Sequence, residues 1–398
     1  MFKFAFIGLG QYGGRQVEAF LKESHEYVGV AVNTATNDLD GLVHVSEGNR
    51  LSLSGSSFGA GRTPEIAHEA IMRPENVQAF AELTSKVTAD ADFIWLCAGL
   101  GGGTGTGVLQ ALLDHQATAM WPQNVGLIVT LPRDDDGVIP KINAVRALQS
   151  ISDAINAGLI GSVLIVDNDR FYKQFAEERN TGHWQDLSNE YVARTLHEAN
   201  QIALKSGKAN VDRKDLEKMF ATPGCLALGA ASIKRLELED VYTTVRNSIG
   251  KGFFTTGYRL DEAMYYALCF TLDEQGDKIR SSQYERGLTQ NLTQVFPHAL
   301  DSYYGYYTGA QNRILSIITG LGFPERVYQL QDKIKDVQAP KRREFAVNVL
   351  PDIAGLNSLL KPREKPQNAS ANPFLAATQG GTVTKARPNP FEAFKARP

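Results

Sequence analysis

Cysteine is scarce in this chain: three among 398 residues, Cys97, Cys225 and Cys269. Each lies in an apolar segment without a CxxC pair or a neighbouring histidine. This excludes a disulfide scaffold and a thiolate metal site, and points to core thiols in a reducing cytoplasm. No apolar run approaches the roughly 18 residues that span a bilayer. The N-terminus Met1-Phe2-Lys3-Phe4-Ala5-Phe6-Ile7 leads into glycines, as a strand would, and not into a signal-peptide cleavage site. Excess charge of one sign is missing too, and a formal charge of −3 does not describe a protein that coats nucleic acid along its whole surface. The reading is of a soluble, cytoplasmic protein without a membrane span. With 43% hydrophobic residues it can fill more than one core.

A lysine is absent where a phosphate-binding loop usually carries one. The stretch Ala98-Gly99-Leu100-Gly101-Gly102-Gly103-Thr104-Gly105-Thr106-Gly107 holds six glycines. It follows the apolar run Phe93-Ile94-Trp95-Leu96-Cys97, a buried strand, and precedes the helical run 108–113. So few Cβ atoms let consecutive N–H groups approach an anion, and the helix dipole adds positive potential there. Without Gly-Lys-Ser/Thr this is neither a Walker loop nor the usual dinucleotide fingerprint. Backbone dipoles and a metal ion are left to balance the phosphate charge.

Apolar runs at 4–8, 28–32, 93–98, 125–131 and 162–166 alternate with helical patterns, the rhythm of a doubly wound α/β domain. Ligands of such sheets bind beyond the carboxyl ends of the strands, and a polar or glycine-rich loop follows every one of these runs. After the first comes Gly8-Leu9-Gly10-Gln11-Tyr12-Gly13-Gly14-Arg15, opening a helix over 16–22; after the second, Asn33-Thr34-Ala35-Thr36-Asn37-Asp38. Phe58-Gly59-Ala60-Gly61-Arg62-Thr63-Pro64 precedes another helix. Leu131-Pro132-Arg133-Asp134-Asp135-Asp136 is a solvated turn unless Asp136 approaches a ribose or a hydrated Mg2+.

A long amphipathic helix is expected over 187–206, ending at Gly207. Beyond it, Asn210 and Asp212 fit helix N-capping as well as chemistry. The region from about 220 to 335 has no phosphate-type loop and reads as a separate supporting domain, with strands at 264–272 and 314–319. From Lys361 onward apolar periodicity disappears, as in a disordered tail. That segment repeats Lys-Ala-Arg-Pro at 385–388 and 395–398, and carries seven Lys or Arg against Glu364 and Glu392. Its net charge of +5 leaves −8 on residues 1–360.

Together these loops resemble those of the tubulin/FtsZ superfamily of polymerising GTPases across about residues 1–335, with 101–107 similar to its signature. Leu131-Pro132-Arg133-Asp134, Thr319-Gly320-Leu321-Gly322-Phe323-Pro324 and the basic tail are similar to its plasmid- and phage-encoded branch of DNA-segregating filaments. The resemblance implies an α/β fold: a Rossmann-like GTP-binding domain at 1–186, a central helix at 187–206 and an α+β activation domain at 207–335. A helical segment at 336–360 and a disordered basic tail at 361–398 complete it.

It also implies GTP or GDP with Mg2+ held through phosphates and water. Gly10, Gln11, Gly13 and Gly14 would form the first phosphate loop, Ala60 and Gly61 the loop beside the γ-phosphate, and Gly102, Gly103, Thr104, Gly105, Thr106 and Gly107 the main cradle. Asn33 and Asp136 would approach the nucleotide, and Asn168 and Asn189 would read guanine. Gly207, Asn210, Asp212 and Asp215 match the family's catalytic loop, which enters the nucleotide pocket of the next subunit. Two positions depart from the pattern: Gln185, beside Trp184, stands where a stacking aromatic is expected, and Pro140 where an arginine is, leaving Lys141 or Arg146. Implied partners are further copies of the chain in a head-to-tail filament and a DNA-binding adaptor held by the tail, with direct DNA contact weaker. The alternatives are a cell-division or phage-positioning filament and a dinucleotide oxidoreductase. Asn33, in place of an acid at the end of the second strand, argues against the latter.

Overall fold

Alternation along the first strand sets up two cores. In β1 (Phe4–Leu9), Phe4 and Phe6 enter one, and Ala5, Ile7 and Leu9 the other. The computed structural model describes residues 1–334 except 56–58 and 181; the expected segments at 336–360 and 361–398 lie outside the described residues.

After β1 come α1 (Gly10–Glu23), β2 (Val28–Asn33), α2 (Thr36–Asp40), β3 (Arg50–Ser52), α3 (Pro64–Ile71), α4 (Pro74–Thr88), β4 (Phe93–Gly99), α5 (Thr104–Asp114), β5 (Asn124–Leu131), α6 (Val138–Asn156), β6 (Ser162–Asp167) and α7 (Asn168–Tyr172). Then follow α8 (Trp184–Gln201), β7 (Gly207–Ala209), α9 (Arg213–Ala221), β8 (Gly224–Ser232), α10 (Leu238–Gly250), β9 (Tyr265–Leu272), α11 (Ser282–Val295), β10 (Asp301–Thr308) and β11 (Arg313–Leu321). A last helical stretch occupies 325–334.

The strands form an 11-stranded sheet in the order β3-β2-β1-β4-β5-β6-β8-β11-β9-β10-β7. The first seven are parallel, and β6 joins the two halves of the chain by pairing Ser162, Val163 and Leu164 with Gly224, Cys225 and Leu226. β11 runs antiparallel between β8 and β9, while β10 runs parallel to β9. The starts of β1, β4, β8, β9 and β10 therefore share one rim of the sheet, and the ends of β1, β2, β4, β5 and β6 share the other.

Several elements differ from expectation. α1 begins at Gly10, inside the glycine run and not at Gln16, because Gly10 adopts φ 71° and turns the chain straight into the helix. The central helix α8 ends at Gln201, short of Ser206: Ile202–Leu204 tighten into a 3-10 turn, and Lys205 is extended. Gly207 is consequently no helix cap but a strand residue paired with Tyr307. β8 and β10 lie outside the expected strands: Gly-Cys-Leu-Ala-Leu-Gly-Ala-Ala-Ser has no β-branched residue, and in Asp-Ser-Tyr-Tyr-Gly-Tyr-Tyr-Thr paired tyrosines around a glycine break the apolar–polar alternation.

α8 spans the depth of the sheet. Near its start the Asn189 carbonyl accepts from Gln16 Nε2 in α1; near its end Asn200 Oδ1 accepts from the Phe2 N–H at 2.8 Å, and its Nδ2 donates to the Phe2 carbonyl at 2.9 Å. The loop after α8 is thus delivered to the rim where β1 begins. Beneath that rim Phe220 of α9 packs on Phe4, Phe93 and Trp95, with centroids 5.8–6.1 Å apart. Burying each such ring contributes roughly 1.5–3 kcal/mol. All three cysteines are buried and free, and burial raises their thiol pKa values. Among the described residues no helix is long and apolar enough to cross a membrane.

Candidate functional site

At the carboxyl rim the loops enclose a cavity of about 450 Å³, the size of a nucleotide-scale ligand site. The start of α1 supplies Gln11 and Tyr12, the loop after β2 supplies Asn33, Ala35 and Asp38, and the loop before α3 supplies Gly59, Ala60, Gly61 and Arg62. Gly99, Gly101, Gly102, Gly103, Thr104 and Gly105 form the wall between β4 and α5. Thr130, Pro132, Asp136, Pro140 and Asn168 close the far side. The N-termini of α1, α5 and α6 converge here, and none carries an acid in its first turn. Three positive dipole ends without internal counter-charges suit a polyanion.

The expected glycines, together with Thr106, fall into two groups. Gly61, Gly102, Gly103 and Gly105 line the cavity, whereas Gly10, Gly13, Gly14, Thr106 and Gly107 do not. Gly10 lets α1 approach α5, since a Cβ there would stand 2.6 Å from the Gly105 nitrogen; one on Gly107 would strike the Pro64 carbonyl oxygen. Thr106 is buried and donates its hydroxyl to the Gly99 carbonyl at 3.1 Å. These residues bring helices and strands together, and their neighbours line the cavity.

The polar groups are similarly divided. Asn33 spends its amide on the loop: Oδ1 accepts from the Thr34 N–H at 2.8 Å, and Nδ2 donates to Asp38 Oδ2 at 2.9 Å. Gln11 Nε2 donates to the other Asp38 oxygen at 3.2 Å, and the Thr34 and Thr104 hydroxyls bond at 2.6 Å. Asp136 Oδ2 accepts from the Arg133 N–H at 2.8 Å. Asn168 lines the cavity, but Asn189 stays behind the wall at the α1–α8 contact, reached through Gln16 and Tyr12.

Arg62 is the cation that sequence reasoning missed. An isolated arginine in a loop looks like an ordinary solvated residue, so no motif marked it. Neither expected substitute lines the cavity: Lys141 donates to the carbonyls of Asp134 and Asp136, and Arg146 pairs with Glu65 at 3.3 Å. Asn143 Nδ2 donates to the Arg62 carbonyl at 3.0 Å and the Gly101 carbonyl at 3.4 Å, joining the arginine loop to the glycine wall. Trp184 packs edge-on against Tyr172, with centroids 5.6 Å apart, and does not line the cavity.

Asn210, Asp212 and Asp215 lie at the opposite rim. Asn210 Oδ1 accepts from the Gly207 N–H at 2.7 Å. Asp212 caps α9 in a reciprocal box: its Oδ1 accepts from the Asp215 N–H at 2.9 Å, and Asp215 Oδ2 accepts from the Asp212 N–H at 3.0 Å. Each carboxylate keeps one oxygen outside this box. Burial raises the Asp215 carboxyl above its ordinary range, and nearby Asp212 and Asp301 add to this, against the Asp212 N–H and Lys218.

Comparison with known proteins matches both halves of the chain. The GTPase-domain model of the tubulin/FtsZ family matches residues 3–176, and the C-terminal domain model of TubZ-like tubulin/FtsZ-like proteins matches 198–331. The tubulin-like protein TubZ of Bacillus cereus is 29% identical over 96% of this chain and 95% of its own length. CetZ2 of Haloferax volcanii is 32% identical over 63% of this chain and 70% of its own. Among solved structures, a GTPγS-form protofilament of Bacillus thuringiensis serovar israelensis TubZ superposes with a TM-score of 0.78 at 21% identity, covering 88% of this chain and 95% of that one. With a shared GTPase domain, a shared C-terminal domain and a shared fold, the chain belongs to the tubulin/FtsZ family, on its TubZ-like side.

Proposed function

We propose that this chain is a polymerising GTPase that stacks head to tail and hydrolyses GTP at each junction, in a filament that partitions plasmid or phage DNA. One observation carries this reading: the phosphate-type cavity and the acidic loop occupy opposite rims of the same strands. Within one chain they cannot meet, but stacked copies bring them together. A relative's structure is described as a protofilament and another as a two-stranded filament. A third is described as a type III plasmid-segregation protein. The TubZ-like C-terminal half favours segregation over a cell-division ring.

In this reading the glycine wall and helix N-termini take the triphosphate, Arg62 supplies positive charge, and Asn168 reads the base edge. Gln16 links Asn189 to Tyr12 and keeps α1 in place. Asp38, steadied by Gln11 and Asn33, and Asp136 suit the water shell of a Mg2+ ion, which when bound would neutralise phosphate charge. Asp212 and Asp215 of the adjoining copy orient and polarise the attacking water, a positioning and electrostatic task that needs no covalent intermediate. The basic segment 361–398 would hold a DNA-binding adaptor.

Phosphate release measured against protein concentration tests this. Turnover per subunit should be negligible below the concentration at which GTP-dependent light scattering begins, and rise steeply above it. Turnover independent of concentration would rule out hydrolysis at junctions.

A further inference from the structure

Arg326 makes contacts that the nucleotide reading does not use. It lies in the helical stretch 325–334, far in sequence from the cavity, and its side chain is only 12% exposed. Nη1 sits 2.6 Å from Asp134 Oδ1, Nη2 donates to the Pro132 carbonyl at 3.1 Å, and Nε lies 3.3 Å from Asp167 Oδ1. One planar guanidinium therefore grips both the loop after β5 and the end of β6. Lys333, two turns further along, places Nζ 2.5 Å from the same Asp134 oxygen.

Both gripped segments shape the cavity. Pro132 and Asp136 line it from the first, and Asn168, directly after Asp167, lines it from the second. The segments are also bonded to each other, since the Asp134 N–H donates to Asp169 Oδ1 at 3.1 Å. Burial pushes the Asp134 carboxyl up, but the Lys333 and Arg326 contacts outweigh it and hold the group below its ordinary range.

We propose that Arg326 is a positioning residue for nucleotide binding, which fixes the Pro132–Asp136 and Asn168 walls of the cavity and couples its occupancy to the helical stretch 325–334. The inference rests on the cavity being the GTP site. By linkage, a nucleotide that selects the gripped loops must also favour the docked helix, and release of the helix must weaken the nucleotide. The same helix leads in sequence to the basic segment at 361–398.

The test uses the full chain below its assembly concentration with GTPγS as probe. Arg326→Ala should weaken GTPγS binding about tenfold, and Arg326→Lys, which keeps the charge but loses the fork, about threefold. GTPγS should slow amide hydrogen exchange across 325–334 in the unmodified protein, and Arg326→Lys should abolish that slowing while exchange at 101–107 still responds. A merely structural stitch would change neither affinity nor nucleotide-dependent exchange. GTPγS affinity within twofold of the unmodified protein in Arg326→Lys and in folded Arg326→Ala would overturn the proposal. So would exchange at 325–334 that ignores GTPγS. If the unmodified protein binds no GTPγS, the functional reading itself fails and takes this inference with it.

Discussion

Arg213 and Asp92 form an ion pair, Nη2 to Oδ1 at 2.6 Å, which fastens the acidic loop to the residue that precedes β4. β4 then rises for seven residues to Gly99, which lines the cavity. At about 3.3 Å per residue the strand alone separates the two sites by roughly 20 Å. The pair therefore holds the acidic carboxylates out of reach of the chain's own cavity.

Breaking this pair should loosen the loop without touching the cavity. An exposed pair contributes under about 1 kcal/mol, so Arg213→Ala should lower assembly-dependent turnover by no more than about fivefold. Its GTPγS affinity, measured by fluorescence titration, should match the unmodified protein. A parallel loss of affinity would place the loop within reach of its own cavity.

The glycine wall gives a contrast between close packing at the cavity and close packing away from it. On Gly103 a Cβ would meet the Gly61 carbonyl at 2.6 Å and the Ala60 methyl at 2.8 Å, pushing the Arg62 loop outward. Gly103→Ala should weaken GTPγS binding at least tenfold, about 1.4 kcal/mol. Gly107→Ala should instead lower the melting temperature, through its clash with Pro64, while the folded fraction keeps its affinity. Equal behaviour of the two variants would contradict the division.

Each rim exposes large apolar side chains. Ile66 and Ile139, 43% and 50% exposed, lie beside the cavity loops; Leu204 and Leu300, 62% and 56% exposed, lie beside the acidic loop. Ile139→Asp and Leu300→Asp should each raise the critical concentration for GTP-dependent sedimentation by about an order of magnitude, from burying an unpaired charge at the junction. Monomer affinity for GTPγS should be unaffected. Sedimentation at the usual concentration would remove these residues from the junction.

The raised Asp215 carboxyl sets a pH dependence. As pH falls, Asp215 takes a proton before an ordinary aspartate would, so the acid limb of hydrolysis should lie above the usual aspartate range. Asp301→Asn removes one of the negative neighbours that raise it, favours the ionised form, and should move that limb to lower pH. An unmoved limb in a pH–rate profile would mean that another group titrates.

The cavity was largely legible because its walls are glycine-rich turns, and five strand–loop units place their loops at one rim. Composition alone could not separate Gly103, which packs on the Ala60–Gly61 loop at the cavity wall, from Gly107, which packs on Pro64 away from the cavity, because both places demand the same missing side chain. Arg62 and Thr130 were invisible because their use depends on the loops that surround them. The Asp212 and Asp215 spacing served capping and catalysis equally, and the structure uses it for capping. Their placement opposite the cavity follows from the Asn200–Phe2 clasp and the Arg213–Asp92 pair, contacts between residues far apart in sequence.

The capping box decides how the central claim is best measured. Asp212→Ala would also remove a helix cap, at about 0.5–2 kcal/mol, whereas Asp212→Asn keeps an acceptor for the Asp215 N–H and removes only the charge. Asp212→Asn subunits preloaded with γ-32P-GTP are mixed into excess unmodified subunits and unlabelled GTP, and labelled phosphate is followed during assembly. Hydrolysis across the junction predicts that the label is released at close to the unmodified rate, because the neighbour supplies the carboxylates. Label that stays intact while the unmodified subunits turn over would show that each chain cleaves its own nucleotide.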